Sequence, residues 1–316
     1  MARQRRAASA PETGAPEPSS TGDDQPAEGS PRRTGSKPAP GLYLVATPIG
    51  NLGDVTRRAL DVLAGADLVA CEDTRVTAKL LTLLGLSAPL TPYHEHNADR
   101  AGPALIARLE AGAAVALVSD AGTPLVSDPG WRLVRECRRR GIRITALPGA
   151  SAVLTAVQLS GLPSDRFLFA GFLPNRAAAR RQVARELAAV PATLVFYDSP
   201  NRLPDSLSDL AAVLGAREAA VARELTKLHE EVATGRLDEL AARYAAAGPP
   251  RGEVVIVIAP PEAGPPEADD LDSRLAAALT AGASVKDAAA LVAAETGHPR
   301  RDVYARALRL ARENRE

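Results

Sequence analysis

Eight short apolar runs between residues 41 and 260 constrain the fold of this chain more than any other feature of its sequence. Each run is bounded by Gly, Pro or Asp, as buried strands commonly are. Helical segments lie between several of them, and this alternation predicts an α/β protein with a largely parallel sheet, at least in its first half. The predicted strands are Leu42–Ala46, Leu68–Cys71, Val115–Ser119, Arg143–Ala146, Phe167–Ala170, Thr193–Tyr197, Ala219–Arg223 and Val254–Ala259.

A break near Gly161–Ser164 divides this region into two predicted α/β domains, 41–160 and 161–260. Residues 1–40 hold seven of the 26 prolines of the chain, and Met1 and alanines are their only hydrophobic residues. Such a segment buries too little apolar surface to offset its chain entropy, so the sequence predicts a disordered N-terminal tail.

The remaining C-terminal part is predicted to be helical. Residues 261–272 are Pro-rich and acidic, which is typical of a linker. Residues 273–316 then predict about three helices with eight basic and five acidic side chains. A basic helical unit of this kind can face nucleic acid, although a solvated helix face explains the charge equally well.

The whole chain has a formal net charge of zero, which excludes a polybasic, histone-like mode of nucleic-acid binding. Its two cysteines exclude a disulfide framework and a four-cysteine zinc site, and they favour a reducing cytoplasm. No run of 18 apolar residues occurs, so the sequence predicts no membrane-spanning helix.

Three loops that follow predicted strands are rich in small and turn-forming residues. The first, Thr47–Gly53, contains no GxGxxG fingerprint, and no GxxxxGK[ST] motif occurs in the chain. Alone, this loop is also compatible with a plain tight turn. Ligands of open α/β sheets bind beyond the carboxyl ends of strands, where the second and third loops, Ser119–Gly130 and Leu147–Ala152, are expected to lie.

Helix capping accounts for part of these loops. Asp128 is the predicted N-cap of the helical run Trp131–Arg140, and Pro129 is predicted at its first position. Capping leaves Ser119–Pro124 unexplained, and Asp120 offers an anionic acceptor that is rarely a core residue.

Charged segments follow other strands and are expected at the same edge of the sheets. His94 and His96, with Glu95 between them, have no further Cys or His cluster to complete a metal site, so the sequence predicts none. A polar substrate pocket is the preferred interpretation there. For Glu230 and Glu231 we expect a solvated charged face. The segments are Cys71–Arg75, Tyr93–Asn97, Asp198–Arg202 and Glu224–Glu231.

Taken together, these segments resemble the ribosomal RNA small subunit methyltransferase I family, which is similar to the tetrapyrrole methylases and belongs to the class III methyltransferases. The resemblance covers nearly the whole region 41–258 and lies in eight blocks that occur in order. The blocks are GLYLVATPIGNLGD, CEDTR, YHEHN, SDAGTPLVSDPG, LPGASA, YDSPNR, ELTKLHEE and RGEVVIVI.

The resemblance implies two α/β domains of tetrapyrrole-methylase type with a cofactor cleft between them, followed by a helix-turn-helix-like domain. It implies a homodimeric enzyme that uses S-adenosyl-L-methionine to methylate the 2′-oxygen of a cytidine in the decoding region of 16S rRNA. The implied substrate is this RNA within the small ribosomal subunit. The cofactor contacts that it implies are Pro48, Asp120, Ala121, Gly122, Thr123, Ser151, Ala152, Tyr197, Ala222 and Gly252.

A ribose hydroxyl is a poor nucleophile, so a nearby base or cation would assist methyl transfer. Glu72 or Asp73 can accept the proton, and Arg75 or Lys227 can stabilise charge or hold a phosphate. His94 can serve either role. Glu72, Arg75 and His94 are the preferred candidates on the substrate side, and we expect Arg75→Ala to weaken RNA methylation while cofactor binding is spared.

Two other functions stay open at this stage. A methylase of a small tetrapyrrole shares the implied fold but has no need of a basic helical appendage. A non-catalytic RNA-binding or assembly protein would retain the fold without binding S-adenosylmethionine, and the intact Ser119–Pro124 and Pro148–Ala152 loops speak against it.

Overall fold

The computed structural model describes three segments of the chain, residues 37–127, 130–262 and 268–313. Nearly all of the predicted N-terminal tail lies outside the described residues. So do Asp128, Pro129 and the middle of the predicted linker.

The first domain is built on a sheet of five parallel strands, as the alternation of strands and helices predicts. Its strand order is β3-β2-β4-β1-β5. All residues of the central strands β2 and β4 are buried, because helices cover both faces of the sheet. The strands are β1 (Gly41–Val45), β2 (Leu68–Cys71), β3 (Leu90–Pro92), β4 (Ala114–Leu117) and β5 (Ile144–Leu147).

The helices of this domain begin at polar caps. The side chains of Thr56, Asp73 and Ser151 accept hydrogen bonds from backbone N–H groups in the first turns of three of these helices. The helices are α1 (Arg57–Gly65), α2 (Thr74–Leu83), α3 (Ala98–Glu110), α4 (Trp131–Arg139) and α5 (Ala152–Ser160).

Helix α4 differs from its prediction at the N-terminus. Its first described helical residue is Trp131, and Gly130 occupies the N-cap position with no side-chain cap. The φ of Gly130 is 137°, which only glycine adopts readily, so the helix cannot extend backwards through this residue.

The second domain contains a mixed sheet in the order β6-β7-β10-β8-β9. Only β6 and β7 pair in parallel, whereas β10 is antiparallel to both of its neighbours. Helix α5 packs on this sheet through Val153, Ala156 and Val157, so it ties the two domains together. The elements are β6 (Phe167–Phe172), α6 (Ala177–Leu187), β7 (Thr193–Asp198), α7 (Leu203–Leu214), β8 (Glu218–Arg223), β9 (Glu231–Arg236), α8 (Leu237–Ala247) and β10 (Val254–Ile258).

All eight predicted strands are present with boundaries within two residues of those expected, and two further strands were not predicted. Strand β3 has three residues and ends in Pro92 at the edge of its sheet. Strand β9 has the sequence EVATGR, which contains too few apolar residues to read as a buried strand. Both are edge strands, whose exposure removes the apolar signal.

The C-terminal helices are α9 (Ala268–Thr280), α10 (Val285–Thr296) and α11 (Arg300–Glu313), which agrees with the three helices expected. Their core is made by Leu275, Val292 and Val303 together with several alanines. Helix α9 begins within the predicted linker, so residues 268–272 are helical and the sequence placed this boundary too late. No helix among the described residues has the length and apolar character needed to cross a membrane.

Candidate active site

Three loops meet beyond the carboxyl ends of the neighbouring strands β4, β1 and β5. Thr47 in the first loop and Gly122 in the second exchange two backbone hydrogen bonds of 2.9 and 3.0 Å. The hydroxyl of Thr123 donates to the backbone oxygen of Ala150 in the third loop over 2.9 Å. The three loops therefore form one connected framework.

Buried hydroxyl groups hold the second loop in shape. The hydroxyl of Thr47 donates to the backbone oxygen of Ser119, and the Ser119 hydroxyl lies 3.3 Å from the carbonyl oxygens of Ala121 and Gly122. Gly122 has a φ of 80°, and a Cβ at this position would lie 3.2 Å from the side chain of Ile49. These contacts explain the small and polar residues that capping alone could not explain.

A cavity of about 330 Å³ opens between this framework and the second sheet; we name it the cleft cavity. Seven of the ten predicted cofactor residues line it, six from the loops of the first domain and one from β7. They are Asp120, Ala121, Gly122, Thr123, Ser151, Ala152 and Tyr197.

The other three predicted cofactor residues lie beside the cleft cavity rather than on its wall. Pro48 is half-buried and directly precedes the lining residue Ile49. Ala222 is fully buried in β8 and pairs with Val255 of β10, so it lies in the core behind the wall. Gly252 precedes Glu253, and a Cβ on it would lie 2.2 Å from the Glu224 side chain.

Several residues of the wall were not predicted. Asp198 at the end of β7 is the most informative of them, because its side chain is fully buried and only one oxygen is paired. Its Oδ1 accepts a hydrogen bond from Arg202 over 2.8 Å, while Oδ2 has no partner among the described residues. Asp198 is the aspartate of the YDSPNR block, so this block could have indicated it as a site residue. The other unpredicted wall residues are Ile49, Val126, Ser127, Phe172, Glu253, Val254 and Val255.

A second cavity of about 330 Å³, here named the polar pocket, adjoins the cleft cavity. The two share one lining residue, Ser127. Glu72 and His94, two of the three predicted substrate-side residues, both line the polar pocket. The remaining lining residues are Tyr93, Glu95, His96, Ala98, Gly130, Trp131 and Arg132.

Comparison with known proteins identifies the family. Residues 41–241 match the model of the Tetrapyrrole (Corrin/Porphyrin) Methylases, and residues 265–311 match that of the RsmI C-terminal HTH domain. The chain is 54% identical over 272 residues to "Ribosomal RNA small subunit methyltransferase I" of Mesorhizobium japonicum, an alignment that covers 86% of this chain and 92% of that protein. The chain belongs to the ribosomal RNA small subunit methyltransferase I family.

A further relative supports this assignment, and one solved structure has a similar fold. The Escherichia coli O157:H7 protein with the same name is 46% identical over 84% of this chain and 94% of its own length. A crystal structure of diphthine synthase is similar in fold, with a TM-score of 0.55 and 19% identity over 69% of this chain and 89% of that one.

In this member of the methyltransferase family, Glu72 in the polar pocket interacts electrostatically with Asp120 on the wall of the cleft cavity. Burial and the nearby Asp120 carboxylate raise the pKa of Glu72, and His94 partly opposes this effect. Asp120 is itself fixed, because its Oδ1 accepts a hydrogen bond from the backbone N–H of Asp73 over 3.1 Å. The polar pocket therefore contains a carboxyl group whose affinity for a proton is greater than that of an ordinary glutamate.

The third predicted substrate-side residue, Arg75, does not line the polar pocket. Its side chain is 89% exposed and donates to Asp73, with the closest nitrogen and oxygen 2.6 Å apart. The Arg75 hydrogen bonds lower the pKa of Asp73 to about 2, so Asp73 is a helix cap and ion-pair partner rather than a proton acceptor. Arg75 lies outside the pocket, on the first turn of α2.

Lys227, also considered from the sequence, is held by two carboxylates. Its Nζ lies 2.8 Å from Glu224 and 3.1 Å from Glu253. A Cβ on Gly50 would come within 2.5 Å of the Lys227 side chain, so this residue packs against the first loop and joins the two domains. Its charge is compensated by these partners.

The expected solvated charged face is present at Glu230, which is exposed, whereas Glu231 is only partly exposed and is paired with arginines. Glu231 is the first residue of β9 and forms ion pairs with Arg223 over 2.7 Å and Arg243 over 3.0 Å. Glu230 accepts a hydrogen bond from the backbone N–H of Thr226 over 2.6 Å. Both carboxylates stabilise the turn into an edge strand.

The histidines of the polar pocket are neighbours in space as well as in sequence. The rings of His94 and His96 have centroids 6.1 Å apart in an edge-on arrangement. Within residues 37–127, 130–262 and 268–313, no group of three His, Cys, Asp or Glu side chains is arranged to hold a metal ion.

Proposed function

We propose that this protein transfers a methyl group from S-adenosyl-L-methionine to the 2′-oxygen of a cytidine ribose in the decoding region of 16S rRNA. One observation carries the proposal: a cavity with acidic and apolar walls adjoins, at Ser127, a polar pocket that contains a carboxyl group of raised pKa. The names of the relatives, which specify small-subunit ribosomal RNA, support the choice of substrate.

The charge of the cleft cavity fits this cofactor. Every charged residue on the described wall is acidic, namely Asp120, Asp198 and Glu253. S-adenosylmethionine carries a sulfonium and an ammonium group against one carboxylate, so carboxylates on the wall attract it. Asp198 is also paired with Arg202, and Glu253 with Lys227. This leaves Asp120 as the wall carboxylate without a basic partner among the described residues. The unpaired Oδ2 of Asp198 is a buried acceptor that a ligand donor would satisfy.

The rest of the wall fits the adenosine part. Val126, Phe172 and Val255 supply apolar surface for a purine ring. The exposed Phe172 is kept in place by an edge-on contact with Tyr197, with ring centroids 5.2 Å apart. Ser151 and the backbone of the second loop add polar groups that can fix the orientation of the ligand.

In the proposed reaction S-adenosylmethionine would supply a methyl group on its sulfonium sulfur. The ribose oxygen would attack the methyl carbon as the carbon–sulfur bond breaks and the neutral thioether leaves. The chain aligns the two reactants from adjoining cavities, which can provide much of the rate enhancement of such a transfer. An oxygen of the Glu72 carboxylate accepts the proton of the ribose hydroxyl, and His94 orients the ribose beside it. Arg75 lies outside the pocket, and its guanidinium, paired with Asp73 but 89% exposed, can bind a phosphate.

The proposed partner is 16S rRNA within the small ribosomal subunit. A sugar can reach the polar pocket only if its nucleotide is splayed out of a helix, and folded ribosomal RNA presents single-stranded nucleotides in this way. The basic C-terminal helices extend the surface available for phosphate contacts. We include a homodimer in the proposal, for which light scattering should give twice the chain mass of 32.9 kDa.

A direct transfer assay tests this function. The full-length protein is incubated with methyl-labelled S-adenosylmethionine and small ribosomal subunits from cells that lack its gene. We expect one labelled 2′-O-methylcytidine after nuclease digestion and mass spectrometry, and no label on a precorrin-type tetrapyrrole. Label on a base, label on the tetrapyrrole, or no transfer to the subunits would contradict the proposal.

A further inference from the structure

Trp131 is exposed, and the packing of its helix against the sheet does not depend on its side chain. It is the first residue of α4, and 57% of its surface is accessible, whereas Leu133 and Cys137 bury the helix against the sheet. It is also the only tryptophan in the chain. A large aromatic ring that a fold leaves open offers a surface on which a planar ligand can stack.

The position of Trp131 relates it to the proposed chemistry. Trp131 lines the polar pocket together with Glu72 and His94, and the same pocket reaches Ser127 on the wall of the cleft cavity. A nucleoside in this pocket can therefore place its base against the indole while its ribose lies among the residues proposed to act on it.

The charges around the pocket favour the base of a nucleotide inside it and the phosphate outside it. The carboxylates of Glu72 and Glu95 inside it repel phosphate, and the carboxylate of Glu95 can accept a hydrogen bond from the exocyclic amine of a base. Outside it, α4 presents basic side chains to solvent. Arg135 and Arg138 are exposed and have no ion-pair partner within the described part of the chain.

Arg132 lies between these two environments. Its guanidinium carbon is 5.6 Å from the centroid of the Trp131 ring, and its Nη1 lies 2.9 Å from Asp99. The arginine steadies the indole from one side, and the basic surface of α4 begins at this residue. Bases and phosphates of one RNA strand can thus be bound by adjacent parts of one helix.

We propose that Trp131 is the platform on which a nucleobase of the RNA substrate stacks, and that the polar pocket is the nucleotide subsite. The proposal rests on the proposed function and deepens it by naming the residue that holds the base. Stacking on an aromatic side chain accepts any base, so Trp131 contributes affinity and position, and the Glu95 carboxylate contributes selectivity.

The single tryptophan makes a direct test possible, because all tryptophan emission of the protein comes from this site. The full-length protein is titrated with a short oligocytidylate and, separately, with an abasic oligomer that has the same sugar-phosphate backbone. We expect saturable quenching by oligocytidylate and little change with the abasic oligomer. Unchanged emission with both, or equal changes with both, would overturn the proposal.

Kinetics with small ribosomal subunits provide the second test. Trp131→Ala should raise KM for the subunits roughly 5- to 150-fold, the range for loss of one stacked base. Trp131→Phe should restore KM to within about threefold of the parent, because a phenyl ring can also stack. Binding of S-adenosylmethionine, measured by calorimetry, should be the same in all variants.

Leu83→Ala is the matched control, since Leu83 is 58% exposed on α2 and lines neither cavity. It should leave KM unchanged. Equal KM values for Trp131→Ala and the parent would overturn the stacking role. The fluorescence titration requires no methyl transfer, so base-dependent quenching would still support the stacking role if the transfer assay had contradicted the proposed function.

Discussion

At the scale of single residues, Glu72 is the group on which the proposed chemistry depends most. It lies between two features that act on its proton in the same direction, partial burial and the Asp120 carboxylate. A carboxylate that binds protons more tightly than usual is a better general base near neutral pH than an ordinary glutamate. The sequence shows a glutamate in the CEDTR block. It does not show that Asp120, 48 residues further along the chain, lies close to this glutamate, because the fold alone brings the two together.

Replacing Glu72 by Gln should lower kcat for methylation about 10²- to 10⁴-fold, the usual contribution of a positioned base. The amide preserves size and hydrogen bonding, so the affinity for S-adenosylmethionine should not change. Single-turnover methylation and calorimetry measure the two quantities. Glu186→Gln on the exposed face of α6 is the control and should match the parent. A Glu72→Gln enzyme as fast as the parent would remove this residue from the mechanism.

The raised pKa of Glu72 gives the reaction a pH dependence of defined sign. Only the ionised carboxylate accepts a proton, so kcat/KM should rise with pH through a pKa above that of an ordinary glutamate. Asp120→Asn removes a negative charge that raises this pKa, so the acidic limb should move to lower pH. The pH profile at saturating S-adenosylmethionine checks this, and a limb that stays in place or moves upward would exclude the coupling.

At the scale of elements, the connection between loops determines the cleft cavity. The Thr123 hydroxyl is the side-chain contact from the second loop to the third, through the backbone oxygen of Ala150. Thr123→Val keeps the shape but loses this hydrogen bond, which is worth about 0.5–1.5 kcal/mol. We therefore expect affinity for S-adenosylmethionine to fall about 2- to 10-fold by calorimetry, since 1.4 kcal/mol corresponds to tenfold. Thr123→Ser retains the hydroxyl and should bind normally; equal weakening by both variants would contradict the role given to the hydroxyl hydrogen bond.

Helices α6 and α7 are joined by an ion pair that the core nearly encloses. Arg180 and Asp209 are 5% and 4% exposed, and their closest nitrogen and oxygen are 2.6 Å apart. Asp209→Ala leaves a buried guanidinium without its partner, which should lower the free energy of unfolding by about 3–5 kcal/mol. Urea denaturation measures this, with the exposed Ser208→Ala as a control within about 0.5 kcal/mol of the parent. A loss below about 1 kcal/mol for Asp209→Ala would contradict the importance of the pair.

The elements also show what the sequence can and cannot reveal. Buried strands such as β2 and β4 consist of apolar residues throughout, so their pattern predicts them directly. Strand β9 is stabilised by pairing with β8 and by ion pairs of Glu231. Both depend on residues outside the strand, so the sequence of the strand alone does not predict it. The turn that brings Ser127 to both cavities has positive φ angles at Leu125 and Ser127. Non-glycine residues rarely adopt this conformation, so the local sequence does not predict it.

At the scale of the whole molecule, zero net charge conceals an uneven distribution. The described wall of the cleft cavity carries only acidic charges, which fits a cationic cofactor. Residues 131–140 carry five arginines and one glutamate beside the polar pocket, and the C-terminal segment 273–316 is also basic. A nucleic acid would thus be bound by local patches rather than by the overall field of the protein. The two-domain fold brings acidic cleft and basic helix to adjoining positions.

The most direct test of the central claim is a map of 2′-O-methyl groups on 16S rRNA, made by mass spectrometry from cells with and without this gene. The proposed function predicts that deletion removes one methyl group, on a cytidine ribose in the decoding region. The intact gene should restore it, and a gene encoding Glu72→Gln should not. An identical map in both strains, or a missing methyl group on a base, would contradict the claim.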